Sequence, residues 1–374
     1  GLHYYNRRPG MGNRHGSCPP IGVAPWPPHS PGYSPSSFWA RTDSSHRLPT
    51  GRTCTARTAT DIPQRLVFPP IGRNLRRKVA WSLDVGHGWA GVAVADGKAF
   101  LFHRIEAKEI LRALDPATGK EIWSFAAPTR YRDEFNFDDG PRCVPTVADG
   151  RVFALGANGD LHAVETATGK KLWHRNLVED YKPKKGYFGV GSSPIVVADK
   201  LLVNVGGKDA GIVAFDPATG KELWKATDDA ASYSTPVPFA LSGKTRVAFL
   251  TRAGLVVLDP TDGSVKFTRE FRSRLDASVN AASPVLRDGQ IFLTSSYGVG
   301  GLLLKPTADG WEEVWANDTS LTSHYNTPVR VGKHLYGIHG RQEGGAAELR
   351  CVEWDTGTVK WAEKNFVCAS LIAV

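Results

Sequence analysis

The chain has 374 residues, with 46 Lys and Arg against 37 Asp and Glu and a formal net charge of +9. Its five cysteines show no Cys-x-x-Cys spacing and no neighbouring His set, so neither a zinc site nor a redox dithiol is indicated. No run has the apolar core of a signal peptide or the length to span a membrane.

The basic surplus is local. Residues 1–80 hold 12 of the 25 prolines and 12 Lys and Arg, against Asp43 and Asp61 alone; the remainder carries 34 bases and 35 acids. The net charge therefore gives no reason to expect a nucleic-acid partner. Composition changes near position 79, which divides a Pro/Arg-rich leader (1–78) from a repeat domain (79–374). The leader reads as a disordered tail, as a mispredicted stretch of reading frame, or as a nucleic-acid or membrane arm. The last fits worst, because its arginines are scattered and not gathered on one helical face. On the first two readings the leader has no fold.

In the repeat domain one phrase recurs. Ala113–Trp123 reads Ala-Leu-Asp-Pro-Ala-Thr-Gly-Lys-Glu-Ile-Trp, and near copies run from Ala163 to Trp173 and from Ala214 to Trp224. Degenerate copies close at Trp81, Phe267, Trp315 and Trp361. Successive closing aromatics are 42, 50, 51, 43, 48 and 46 residues apart. A period in the forties made of short apolar runs predicts a β-propeller with four strands to a blade.

The unit explains itself strand by strand. The first strand should begin just after Pro145, Pro194, Pro236, Pro284 or Pro328, where a missing N–H forfeits no interior ladder bond. Asp149-Gly150 and Asp288-Gly289 then read as hairpin turns into a second strand such as Val152–Leu155 or Ile291–Leu293. A third strand, Ile212–Phe215 or Gly254–Leu258, leads into the Asp-Pro-Ala-Thr-Gly turn. There Asp accepts turn N–H groups and Gly closes in the left-handed region. The fourth strand carries the Trp. A lone blade cannot bury both faces, so this ring is expected to pack on the next blade and not to serve a ligand.

Ala-x-Asp-x-x-Thr-Gly-Lys-x-x-Trp resembles the pyrroloquinoline quinone (PQQ) repeat of BamB-like propellers and quinoprotein alcohol dehydrogenases, over roughly residues 79–374. The resemblance implies an all-β propeller of about seven or eight blades, one of them assembled from both chain ends. About six units are complete here, Ser370–Val374 begins another, and Trp81 reads as an outer strand without its own blade. With Gly1 in place of Met, the chain is expected to be a fragment. The resemblance leaves two functions open, because the motif docks blades and does not specify a cofactor. One is a non-catalytic binding or assembly scaffold of the bacterial envelope, with protein partners on the propeller face and a periplasmic location. The other is a PQQ-dependent dehydrogenase holding PQQ and calcium.

The scaffold is the expected reading, with no catalytic residue, no metal and no cofactor. Quinoprotein chemistry needs a carboxylate base, a calcium-ligand set and an aromatic platform, and the dehydrogenases resembled typically carry adjacent cysteines, which are absent from this sequence. Asp138-Asp139 alone supplies too few converging oxygens for a cation. Counting back from the strand-start prolines marks Arg142, Tyr233 and Tyr325 at the propeller mouth, with Trp89 at the equivalent place in the first unit. Loops between second and third strands add Lys208, Tyr297 and Arg341. Two aromatics, a Trp and an Arg around one mouth would suit a flat or anionic ligand. The long loops Ala126–Pro141 and Leu177–Val190, with their mixed charges, are expected contact points on a rigid frame.

Overall fold

Among the described residues, alternation of apolar and polar residues between Asp-Gly and Asp-x-x-Thr-Gly turns gives six four-stranded antiparallel sheets, each in meander order. The computed structural model describes residues 79–374 except 185, 277, 342–346, 365, 367–368 and 374. Before residue 79 it describes only the backbone of the strands Gly22–Pro25 and Ser37–Ala40. The rest of the leader, with Cys18 and Cys54, lies outside the described residues, as does Cys368. Those two strands are an exception to the expectation of a leader with no regular element. The first pairs with Ala369–Ile372 and the second with Trp81–Asp84.

The chain divides into two compact units. One contains Lys78–Phe271, the other Arg272–Val374. The first holds blades 1 to 4: Ala93–Pro128, Thr146–Asn176, Ile195–Ala226 and Val237–Glu270. The second holds blade 5, Val285–Asn317, and blade 6, Val329–Glu363. The fold class is all-β, built of propeller blades as the repeat predicts. First strands start at Thr146, Ile195, Val237, Val285 and Val329, each directly after its proline. Asp149 (φ 48°) and Gly150 (φ 73°) take the paired left-handed conformations of a type I′ turn.

Neighbouring blades share their cores. Phe100, Leu111 and Trp123 of blade 1 pack with Val152, Ala154 and Val164 of blade 2. Phe153 and Leu161 pack with Leu201, Val213 and Phe215 of blade 3, and Leu202 and Ile212 pack with Val247 and Phe249 of blade 4. In the second unit Phe292 and Leu303 meet Leu335, Val352 and Trp354. Burial of each such side chain contributes about 1.5–3 kcal/mol.

The recurring phrase is the fastener between these blades. The Trp123 indole donates to the Thr166 carbonyl (3.0 Å), Trp173 to Pro217 (3.0 Å), Trp224 to Pro260 (3.2 Å) and Trp315 to Trp354 (2.8 Å). Each ring lies over the turn glycine of the following repeat. A Cβ on Gly220, which has φ +71°, would come within 2.8 Å of the Trp173 ring. Glycine is thus required twice, for its dihedral and for its bareness. The turn is held by its Asp: the Asp216 carboxylate accepts from the Ala218 (2.7 Å) and Thr219 (3.0 Å) N–H groups, which hold it below the usual carboxylate range. Trp81 uses the same fastener on blade 1, donating to the Pro116 carbonyl at 3.0 Å against Gly119. It therefore docks as an outer strand, as read from the sequence. Trp361 departs from this pattern: it is 37% exposed and touches Tyr336 of its own blade.

Candidate functional site

In the first unit the loops leading into first strands converge on two arginines. Arg104, at the end of the second strand of blade 1, is 2% exposed. Its guanidinium donates to the carbonyls of Glu106 (2.6 Å), Tyr131 (2.6 Å) and Asp139 (2.9 Å), tying the Thr129–Pro141 loop to the sheet. Arg142 lies between the Trp89 and Tyr131 rings, 4.9 Å from each centroid. It donates to the carbonyls of Gly140 and Asp138 and meets the Asp133 carboxylate at 3.4 Å. A desolvated guanidinium between two ring faces is a strong cation–π arrangement.

The carboxylates of this loop are equally engaged. Asp133 accepts from the Phe135 (3.0 Å) and Asp138 (3.2 Å) N–H groups, and Asp138 from the Gly140 N–H (2.7 Å). His87 Nδ1 lies 3.3 Å from Asp138. Burial pushes the Asp139 carboxyl up, but the Asp133 N–H (2.8 Å) and the Arg132 guanidinium outweigh it and hold the group below its ordinary range. A pocket of about 340 Å³ opens beside this lattice, lined by His87, Arg104, Glu106, Ala107, Arg132 and Asp139. Among the described residues no group of three or more His, Cys, Asp or Glu is placed to hold a metal ion.

Beneath the loops is a buried acid. Glu109 accepts from the Ala157 N–H (3.0 Å), pinning blade 2 to blade 1, and burial raises its pKa to about 7. Gly156 is bare because a Cβ there would fall 2.0 Å from the Glu109 carboxylate. Nearby Cys143 is fully buried and its thiol is pushed well above its ordinary pKa by burial and by the Glu109 charge.

The expected mouth residues separate into groups. Trp89 and Arg142 stack together. Tyr233 packs against Gly191, and its hydroxyl accepts from the Phe188 N–H at 2.8 Å. Lys208 is exposed on its turn. Tyr297, Tyr325 and Arg341 belong to the second unit. There the Arg341 guanidinium sits 4.4 Å over the Tyr297 ring, the Tyr297 hydroxyl bonds His324 Nε2 at 2.8 Å, and His324 packs on Tyr325. Arg142 turns its two terminal nitrogens to the Gly140 and Asp138 carbonyls and the Asp133 carboxylate, while its buried Nε has no hydrogen-bond partner among the described residues.

Two features escaped the sequence reading. One is Arg104, a buried arginine beside His103 at the end of the strand Lys98–Ile105. The other is a set of rings on the two long loops: Phe135, Phe137, Tyr187 and Phe188, with centroids 5.3–6.4 Å apart where they pair. Aromatics inside hydrophilic loops were the available signal. The second loop also opens with a short helix, Leu177–Tyr181, whose Asn176 cap accepts from the Glu179 N–H at 2.9 Å.

A family model described as outer membrane protein assembly factor BamB matches residues 106–363. The outer membrane protein assembly factor BamB of Burkholderia pseudomallei is 31% identical over 263 residues, covering 68% of this chain and 61% of its own length. The 1-butanol dehydrogenase (cytochrome c) of Thauera butanivorans is 32% identical over 115 residues, covering 29% of this chain and 16% of its own length. The crystal structure of BamB from Moraxella catarrhalis superimposes with a TM-score of 0.52 at 17% identity, covering 73% of this chain and 72% of that one. Quinohemoprotein alcohol dehydrogenase ADHIIG from Pseudomonas putida gives a TM-score of 0.50 at 13% identity, over 77% and 62%. The chain thus spans less than two thirds of the length of these sequence relatives. With the Trp–Gly fastener in place and the family model matched from blade 1 through blade 6, the chain belongs to the PQQ-repeat propeller family that this model describes.

Proposed function

We propose that this chain is a non-catalytic binding and assembly scaffold of the bacterial envelope, holding protein partners on the loop face of its blades. The observation that carries the reading is the lattice around Arg104 and Arg142. Its carboxylates and guanidinium groups bond to one another, to ring faces and to the backbone, and so serve to stiffen loops. A rigid frame under long loops is what a docking surface needs. Similarity to a BamB over 61% of that protein's length supports the same reading. That similarity also supports a periplasmic or envelope location; no described helix is long and apolar enough to cross a membrane.

A second reading, a PQQ-dependent alcohol dehydrogenase, is favoured by the similarity to the butanol dehydrogenase. That enzyme class needs a base and a calcium cage beside the quinone, and the loop carboxylates Asp133, Asp138 and Asp139 already accept hydrogen bonds within their own loop. We therefore expect neither PQQ nor calcium to be held there. Purified full chain supplied with PQQ, Ca²⁺ and a primary alcohol should show no dye-linked oxidation. Turnover that depends on PQQ would replace the scaffold reading with the enzymatic one.

A further inference from the structure

Arg104 does not use all of its donors. Its Nε–H goes to the Glu106 carbonyl, and Nη1 serves the carbonyls of Tyr131 and Asp139. Nη2 has no hydrogen-bond partner among the described residues, and the guanidinium forms no ion pair among them. The residue is nonetheless 2% exposed. A desolvated charge with spare donors and no counter-ion is costly unless something answers it. The carboxylates of Glu109 and Asp139 feel its field without pairing with it.

The spare nitrogen is not sealed in. Arg104 belongs to the wall of the pocket of about 340 Å³, beside His87, Glu106, Ala107, Arg132 and Asp139. The wall is held in place, because Arg104 donates its N–H to the His87 carbonyl at 2.7 Å and accepts from the His87 N–H at 2.8 Å. His87 turns Nδ1 to Asp138, and its Nε2 has no partner among the described residues.

Net charge does not choose the ligand here: the wall carries two guanidinium groups and an imidazole against two carboxylates. The placement of those charges does. Asp139 is matched by Arg132, and Glu106 is exposed, so water screens it. Arg104 is buried, and its attraction for an anion is screened far less. The same two carboxylates set a limit, since a phosphate or an acid with several carboxylates meets more repulsion than a single charge does.

We infer that this pocket binds one carboxylate group, an oxygen of which accepts from Arg104 Nη2, with His87 and Arg132 beside it and Ala107 leaving room for a short apolar stem. The carboxylate belongs either to a free short-chain acid or to the C-terminus of a partner chain. The inference goes beyond the scaffold reading and holds with either source.

The test is calorimetric titration of the full chain with sodium butyrate, with inorganic phosphate, and with a short Ala-ended peptide as its free acid and as its amide. Butyrate should bind saturably in the millimolar range, and phosphate roughly tenfold more weakly. Arg104→Gln should abolish butyrate binding. Glu106 and Ala107 are exposed in the hairpin turn beside it. Glu106→Gln should tighten butyrate several-fold, and Ala107→Asp should weaken it about tenfold. Circular dichroism checks folding, and the two turn variants decide the matter if Arg104→Gln does not fold. A peptide acid that binds about tenfold tighter than both butyrate and its amide twin assigns the site to a partner's terminus. A peptide acid no better than its amide, with butyrate still bound, assigns it to a free acid. Absence of binding by both butyrate and the peptide acid overturns the proposal. So does phosphate binding as tight as that of butyrate, or butyrate binding unchanged in the folded turn variants.

Discussion

The blade walls and the loop face of the first unit use the same chemical vocabulary to different ends. At the walls an aromatic ring, a bare glycine and one carbonyl repeat from blade to blade, and the rings are shielded by the next repeat. At the loop face the rings of Phe135 and Phe137 are exposed, while the polar groups are buried: Arg104 is 2% exposed and the Arg142 side chain 6%. Repetition marks the part that holds the fold together. The departure from repetition marks the part free to specialise. A ring over a glycine is a packing element, whereas the rings of Phe135 and Phe137 on the stiffened loop are left exposed.

The comparison breaks most visibly at the wall. Trp123 is the most buried of the fastening indoles, at 9% exposure. Trp123→Ala should destabilise by roughly 3–5 kcal/mol in a denaturant or thermal melt, whereas Trp361→Ala, at an exposed ring, should cost about 1 kcal/mol or less. Equal losses at the two positions would show that the docked turn contributes nothing.

Next in size is Glu109, where wall and loop face meet. Its folded pKa of about 7 lies above the ordinary 4.5. The folded state therefore holds this proton more tightly than the unfolded chain does. Stability from this group is complete below pH of about 4.5 and is lost as pH rises towards 7. Glu109→Gln keeps a carbonyl for the Ala157 N–H and has no charge to bury. The variant should gain on the parent across that window, on the order of 3 kcal/mol by pH 8. A difference independent of pH would mean the carboxylate is not desolvated.

The smallest effect belongs to the exposed rings. Phe135→Ser/Phe137→Ser should leave stability within about 0.5 kcal/mol of the parent. A large loss would make these rings part of the core and remove the contrast with the wall.

Much of this architecture was legible because its signals are local. Prolines 145, 194, 236, 284 and 328 mark strand starts to the residue, and the Asp-x-x-Thr-Gly turn is stabilised by its own Asp. Position within the repeat also brought Trp89 and Arg142 to one place. What stayed hidden depends on distant segments. The Arg104 guanidinium bonds carbonyls 27 and 35 residues onward, and Phe135 meets Phe188 only because two blades bring their loops together. Nothing in the spacing shows that Arg142 would turn its terminal nitrogens to the Gly140 and Asp138 carbonyls.

The central claim is that the loop face is a docking frame and not a cofactor cradle, and the most direct measurement is the melting temperature of the full chain with and without PQQ and Ca²⁺. A ligand at about 100 times its Kd adds about 2.7 kcal/mol to the stability of its receptor, which a melt resolves readily. No shift is expected, because the arginines and carboxylates at the mouth already hold one another. A reproducible PQQ-dependent rise, absent from a folded Arg142→Leu variant, would contradict it.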